Sequence, residues 1–377
     1  MSLVVLSGMF AEGANLVDAL TNGKVEGYVR STYHVHNLKN DKTYKDDGIG
    51  GKVHFKTADD YKMRLGATLY ATTQLFYNDN SPIVPLRGED NRAYAILGEL
   101  YLEGKFDKTV LKLGRQELNT PFADMDDIGM VPNTFEALTM VNQNINDTEV
   151  FVGQINKMAG VDAEVTDKFT KINGSHNMQL MGVAYGGIEN LELSGWYNRL
   201  HKGEVDSIGY LESTYTQALT TFEYVLGVQY AKETYSMAED TQVWGAKLDI
   251  GIKPYGLVLM AGYNQVGNNA AFSGFGGGPF YVASEFLILD HAGKNGEARC
   301  LGLEYEASAV GLDGLVLGLS RLDLETEAKE SASELDFLAS YTFTDDLEGH
   351  MIYADVKGVN VGESDAKHFR AYLNYHF

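Results

Sequence analysis

The last nine residues read FRAYLNYHF, Phe369 to Phe377, and their alternation decides the fold. Phe369, Ala371, Leu373, Tyr375 and Phe377 fall on one face, with Arg370, Tyr372, Asn374 and His376 on the other. That is the period-2 signature of a strand whose two faces meet different surroundings. Terminal residues of soluble domains usually form a polar, frayed tail, because ordering them gains little. An alternating segment that stops on an aromatic residue reads instead as the closing strand of a sheet.

The pattern recurs upstream. In YKMRLGATLY, Tyr61, Met63, Leu65, Ala67 and Leu69 oppose Lys62, Arg64, Gly66, Thr68 and Tyr70; in SELDFLASYTF, Leu335, Phe337, Ala339, Tyr341 and Phe343 oppose Glu334, Asp336, Ser340 and Thr342. Tight turns at 57–60, 106–109, 143–147, 186–190, 217–220, 253–256, 310–314 and 344–349 separate such segments. They alternate with longer, polar or glycine-rich connections near 37–48, 78–91, 118–133, 158–175, 201–207, 233–240, 267–297, 324–333 and 358–365. Eight turns and nine loops join eighteen strands and put both termini on the short-turn side. This is the grammar of an all-β, transmembrane, antiparallel up-and-down barrel with short periplasmic turns and long extracellular loops. An unpaired backbone group in hydrocarbon costs several kcal/mol, so the first strand, near Lys24 to His34, is expected to pair with the last.

Composition agrees. The 377 residues include 41 Gly, 17 Phe and 23 Tyr but only 6 Pro. Mean hydropathy is -0.20, and no apolar run approaches the ~18 residues of a transmembrane helix, which excludes a helical membrane protein. A net charge of -22 argues against nucleic-acid binding, which needs basic stripes to displace counterions. The lone cysteine, Cys300, has no internal disulfide partner. The opening MSLVVLSGMFAEGA is apolar from Leu3 to Phe10 but has no basic residue before it. Residues 1–22 are therefore read as a leader or signal remnant with a periplasmic N-terminus, and 23–377 as a single barrel.

Leu111 to Leu138 reads LKLGRQELNTPFADMDDIGMVPNTFEAL. It resembles the OprD-like family of bacterial outer-membrane porins, in which a GRQ strand end is followed by a TP step, an Asp-containing segment and an L-P-x-T-F-x-G stretch. NLVDALTNGKVEGYVR (Asn15 to Arg30) and the final RAYLNYHF are similar to the same family. The resemblance implies an 18-stranded barrel in the bacterial outer membrane whose third extracellular loop folds inward. It also implies a ladder of basic wall residues guiding small carboxylates, surroundings of outer-membrane lipid and lipopolysaccharide, and a monomer, with a trimer left open. The family commonly carries Arg two residues after the loop Asp; here Gly129 follows Asp127, which weighs against an anion-selective eyelet.

Few charges decide what enters a narrow, low-dielectric neck. Asp124, Asp126 and Asp127 in the third loop are the expected constriction residues, with a hydrogen-bond clamp as their structural alternative. Parity places Arg30, Lys62, Arg64, Lys112, Lys247 and Arg370 in the lumen as basic wall residues, and Glu26, Asp249, Glu304, Asp336 and Asp355 as acidic ones. On opposite walls they would set up a transverse field; as neighbours they would form wall ion pairs. His34, His36 and His54 share the lumenal parity of one hairpin and could bind zinc or copper, although nothing supplies a second shell. No cofactor is otherwise expected. Tyr28, Tyr33, Phe55, Tyr197, Phe343 and Tyr375 are read as interface girdles, and GFGGGPF, Gly274 to Phe280, as a mobile extracellular loop.

The function expected is passive, partly substrate-selective diffusion of small hydrophilic solutes, carboxylates and amino acids among them. A non-selective, cation-leaning pore is the alternative, and a surface adhesin or structural barrel carried by the 267–297 loop a more distant one. No G-x-S-x-G or Ser/His pairing suggests an enzyme.

Overall fold

The structure, a computed structural model, describes residues 16–377 except 40, 41, 59–61, 82, 175, 202, 204 and 359–364. Its wall begins with β1 (Lys24–Leu38), β2 (Thr43–Lys56), β3 (Met63–Thr73), β4 (Tyr94–Phe106), β5 (Thr109–Gln116), β6 (Thr134–Asn142), β7 (Thr148–Ala159), β8 (Met178–Ile188) and β9 (Leu191–Leu200). It continues through β10 (Ser207–Ala218), β11 (Phe222–Thr234), β12 (Thr241–Ile252), β13 (Leu257–Val266), β14 (Glu297–Glu306), β15 (Leu315–Glu325), β16 (Ser331–Thr344), β17 (Leu347–Lys357) and β18 (Ala366–His376). Each strand pairs antiparallel with its neighbours, and β1 closes on β18 in a register running from Tyr28↔His376 to Leu38↔Ala366. A sheet closed in this way has no edge, which is what hydrocarbon demands. At the short-turn end a helix, Leu16–Thr21, meets the first turn, where the Ala58 N–H donates to the Ala19 carbonyl at 3.1 Å. Residues 1–15 of the expected leader, and Tyr61, lie outside the described residues.

The expected alternation appears as an inside-out burial pattern. Val25, Val29, Leu65, Leu69, Leu113, Leu301 and Leu373 are exposed on the outer face, while Arg30, Thr68, Glu99, Gln229 and Arg370 are buried inside. Toward the loop end the interior becomes apolar. Ile155, Met178, Ile208, Val243, Ala298 and Val356 on the inner wall are buried against Phe122 of the third loop (117–133) and Val282, Leu287 and Leu289 of the seventh loop (267–296). Burying one such side chain contributes about 2 kcal/mol, so the two loops form a packed plug.

The seventh loop overturns one expectation. GFGGGPF is not a mobile outer loop: Phe275 forms a parallel bridge with Ala123, its N–H donating to the Phe122 carbonyl and its carbonyl accepting from the Asp124 N–H, both at 3.0 Å. Gly274 has φ +95, and a Cβ there would lie 2.5 Å from the Phe122 carbonyl oxygen. Glycine is what lets the two backbones approach.

Other expectations also need correcting. The first loop is not the long 37–48 connection, because β1 and β2 continue as a ladder to the four-residue link 39–42. Lys62 is not a wall residue; β3 begins at Met63, and Lys62 is exposed in the turn, its carbonyl accepting from the Lys105 N–H at 2.8 Å. Asp355 faces outward, not into the lumen, on the same face as the exposed Met351 and Tyr353. Its neighbours Ala354 and Val356 are the inward residues, buried under the plug, so the apolar face at this end of β17 is the inner one. Tyr28 is lumenal and buried, with the Arg30 guanidinium 4.9 Å from its ring, rather than part of a girdle.

Candidate functional site

Arg30 on β1 points inward because its neighbours Val29 and Ser31 take the outer face of the strand. Its Nη1 and Nη2 donate to Asp127 Oδ1 and Oδ2 at 2.7 and 2.8 Å, Nη1 also to the Gly129 carbonyl at 2.8 Å, and Nε to Asn374 Oδ1 at 2.9 Å. The Tyr372 hydroxyl donates to the Ile128 carbonyl at 2.7 Å. The closure seam of β1 and β18 thus holds the tip of the third loop at three consecutive residues. Gly129 contributes only its carbonyl to this contact.

The other two loop aspartates are spent internally. Asp124 Oδ1 accepts from the Asp126 N–H at 2.9 Å and the Gly277 N–H at 3.4 Å, tying the third loop to the seventh. The Asp126 carboxyl faces that of Asp162 in the fourth loop (160–177), while Asn133 Nδ2 donates to Asp162 Oδ2 at 2.7 Å. Burial first, then the neighbouring carboxylates of Asp162 and Asp124, push Asp126 up to about 7, and burial raises Asp162 as well. Below about pH 7 a proton on Asp126 lets the two carboxyls hydrogen-bond to each other rather than repel.

The direction of the pH effect follows. The docked loop binds more protons than a released one between the ordinary carboxylate range and about pH 7, so docking is strongest at the acidic end and weakens as pH rises to neutrality. Loop-release events in single-channel records are therefore expected to be at least about tenfold more frequent at pH 8 than at pH 5, one linked proton giving tenfold per pH unit. In Asp126→Asn the pH dependence should vanish; its persistence would locate the titrating group elsewhere.

Arg370 on β18 is 1% exposed and pairs with Glu285 of the seventh loop, its guanidinium 5.2 Å from the Phe286 ring. Phe286 stacks on His368 at 3.7 Å, and the Nδ1 atoms of His368 and His36 are 2.7 Å apart. His34 is 5.8 Å from His36, ring to ring. The triad of His34, His36 and His54 is not assembled: the β1–β2 register sets His34 against Asp46 and His54 against Glu26. His54 lies with Thr68 Oγ1, at 2.6 Å, and Glu99, at 3.5 Å. Among the described residues no group of three or more His, Cys, Asp or Glu is arranged to hold a metal ion.

The remaining wall charges separate by sector. On β2, β3 and β5, Lys52 lies 3.6 Å from Glu117, Arg64 pairs with Glu103, and Lys112 lies 3.7 Å from Glu99 and over the Tyr101 ring. Every basic residue of the seam side named here therefore has a carboxylate beside it. Across the lumen, Glu192 on β9, Asp249 on β12 and Glu304 on β14 make no ion pair among the described residues. Lys247 sits 5.0 Å from the Tyr281 ring, Glu26 is exposed near the turn end, and Asp336 is buried beneath the plug, accepting from Ser320 at 3.3 Å.

Glu99, Glu103, Glu117, Asp162 and Glu285 were not singled out from the sequence. Glu99 and Glu103 alternate with Leu100 and Leu102, so parity could have found them; nothing local marks Glu285. Between the seam and the opposite wall lies a cavity of 610 Å³, bordered by Arg30, Asp127, Glu285 and Arg370 on one side and Glu304 and Ser320 on the other.

A family profile described as "outer membrane porin, OprD family" matches residues 60–346. Comparison with curated protein sequences gives no match. Among solved structures, Pseudomonas aeruginosa OccK9 (OpdG) is similar at a TM-score of 0.81 and 18% identity, over 95% of this chain and 99% of its own. A BenF-like porin from Pseudomonas fluorescens Pf-5 gives 0.81 and 16% over the same shares, 95% and 99%. Pseudomonas aeruginosa OpdK with vanillate gives 0.78 and 15%, again over 95% and 99%. Such identities speak for the fold alone, whereas the profile spans most of the chain, from the turn before β3 through β16, including both inward loops. The chain belongs to the OprD family of outer membrane porins.

Proposed function

We propose that this outer-membrane porin passes small hydrophilic solutes bearing an ammonium group, zwitterionic amino acids foremost, with a lean toward cations. The observation that carries the reading is the asymmetry of pairing: Arg30, Lys52, Arg64, Lys112 and Arg370 each have a carboxylate partner, while Glu304 and Asp249 opposite make no ion pair among the described residues, with Lys247 on the same inner face as Asp249 held over the Tyr281 ring instead. A paired guanidinium still hydrogen-bonds a solute carboxylate but adds little net positive potential. The unpaired carboxylates opposite attract the ammonium end, so a dipolar solute is oriented as it crosses. Asp127 and Arg30 frame the passage in this reading, and Asp124 and Asp126 hold the loop that narrows it.

A carboxylate-selective pore is the second reading. It rests on Arg30 and Arg370 beside the cavity and on the vanillate named for OpdK. Reversal potentials in a KCl gradient separate the two. The cation-leaning reading expects potassium to be favoured over chloride, and Glu304→Gln to lower that preference by up to about sevenfold, the square of the roughly threefold Coulomb factor that a unit charge about 7 Å away in a water-like dielectric exerts on each ion with opposite sign. A clear chloride preference in the wild type would overturn it. Liposome swelling with glycine and alanine against benzoate then ranks the solutes.

A further inference from the structure

The outward faces of β14 to β18 carry an apolar band that includes Leu301, Leu319, Leu335, Phe337 and Tyr353. Toward the loop end the same faces turn abruptly to charge, with Arg299, Arg321, Lys357 and Lys367 on four different strands. Register shows how closely charge and hydrocarbon meet: Arg321 lies between Leu301 and Leu335, Arg299 opposite Asp323, and Asp355 opposite Lys367. Charged side chains on a lipid-facing wall are tolerated only near the interface, so this row marks the headgroup level of the outer leaflet.

We propose that this face is a binding site for a phosphorylated lipid of the outer leaflet, lipopolysaccharide, whose phosphates are received by Arg299, Arg321 and Lys357. Each guanidinium is held along its own strand. Arg321 donates through Nε and Nη2 to Asp323 at 2.8 and 2.6 Å, and Arg299 donates through Nη2 to Glu297. These bonds lay the side chains along the wall and leave Nη1 of Arg321, and Nε and Nη1 of Arg299, without an acceptor among the described residues. A preoriented guanidinium receives a phosphate with less loss of rotamer freedom than a free one. A groove of 360 Å³ runs between the two arginines and Lys357.

The alternation of sign fits this lipid. Glu297, Asp323 and Glu325 interleave with the cations, so the face offers donors to phosphates and carboxylates to the divalent cations that bridge neighbouring headgroups. The leucines flanking Arg321 at the same height, Leu301 and Leu335, are suited to acyl chains. Elsewhere on the wall an outward cation such as Arg199 on β9 has no comparable neighbours; it lines a groove with Leu111, Val152, Met181 and Tyr197.

The test is native mass spectrometry of the detergent-purified, full-length porin titrated with diphosphoryl lipid A. The triple variant Arg299→Gln, Arg321→Gln, Lys357→Gln is expected to bind at least about tenfold more weakly: a free basic side chain near an anionic surface contributes about a fivefold gain, and the pairing of Arg299 with Glu297, Arg321 with Asp323 and Lys357 with Asp355, 3.8 Å away, reduces each contribution below that. Arg199→Gln should bind like wild type, and Arg299→Lys with Arg321→Lys should fall between, which keeps the idea testable if the triple variant folds poorly. Equal binding by the triple variant, or equal binding of fully dephosphorylated lipid A by wild type, overturns the proposal. So does a wild-type dimer cross-linked through this face.

Discussion

Asp127→Ala is expected to shift the reversal potential toward anions and to raise single-channel conductance, while Arg30→Ala shifts it toward cations. In the wild type the two charges cancel across bonds of 2.7 and 2.8 Å. Removing the carboxylate leaves a guanidinium only 7% exposed, still satisfied by the Gly129 carbonyl and Asn374 but stripped of its bidentate partner. An unpaired buried charge costs about 3 kcal/mol, and the hydrogen bonds that remain bring this nearer about 2 kcal/mol. The loop tip can relieve that cost only by moving, so Asp127→Ala combines altered selectivity with added open-channel noise. Arg30→Ala differs, because Asp127 is the more exposed partner, at 27% against 8%, and water can take over its hydration. It lacks the buried-charge cost, but Arg30 donates three of the four hydrogen bonds that hold the loop tip, so added noise is expected here as well. Bilayer recordings of both variants in a KCl gradient check the pair: shifts of the same sign, or none, would place the conducting path away from the seam.

How much of this was legible follows from what each residue faces. A wall residue meets either hydrocarbon or water, so alternation alone located Arg30, Arg64, Lys112, Asp249 and Glu304 on the inner face. The rule failed where a loop changed the solvent. Ala354 and Val356 are apolar because the plug covers them, and their inward apolar character displaced Asp355 to the outer face. The third loop carried its own signal in the GRQ and TP steps, but the seventh has no periodicity; its position depends on backbone pairing with Phe122 and Asp124, far away in sequence. The histidines show the same limit. Parity put His34, His36 and His54 on one face, yet register along the hairpin separates His54 and brings His368 in from the closing strand.

That dependence of the seventh loop on distant anchors predicts the second large effect, from Glu334→Ala. Glu334 on β16 is 1% exposed and accepts from the Leu287 N–H at 2.7 Å, the Phe286 N–H at 3.1 Å and the Ser284 hydroxyl. Alanine leaves the buried Leu287 N–H without an acceptor, at about 1–3 kcal/mol, and the half-buried Phe286 N–H as well, at less. The segment it releases carries Glu285 to Arg370 and Phe286 to His368, so those contacts are lost together. Frequent transitions to a high-conductance state are expected, along with proteolytic nicking within 267–296. Glu334→Gln keeps one acceptor oxygen and should lie between. The wall should survive in both variants, because its ladder of antiparallel hydrogen bonds does not involve this side chain. Heat-modifiable migration on a denaturing gel checks that survival. A Glu334→Ala channel as quiet as wild type, in an intact barrel, would mean that the plug is held by its apolar packing and not by this carboxylate.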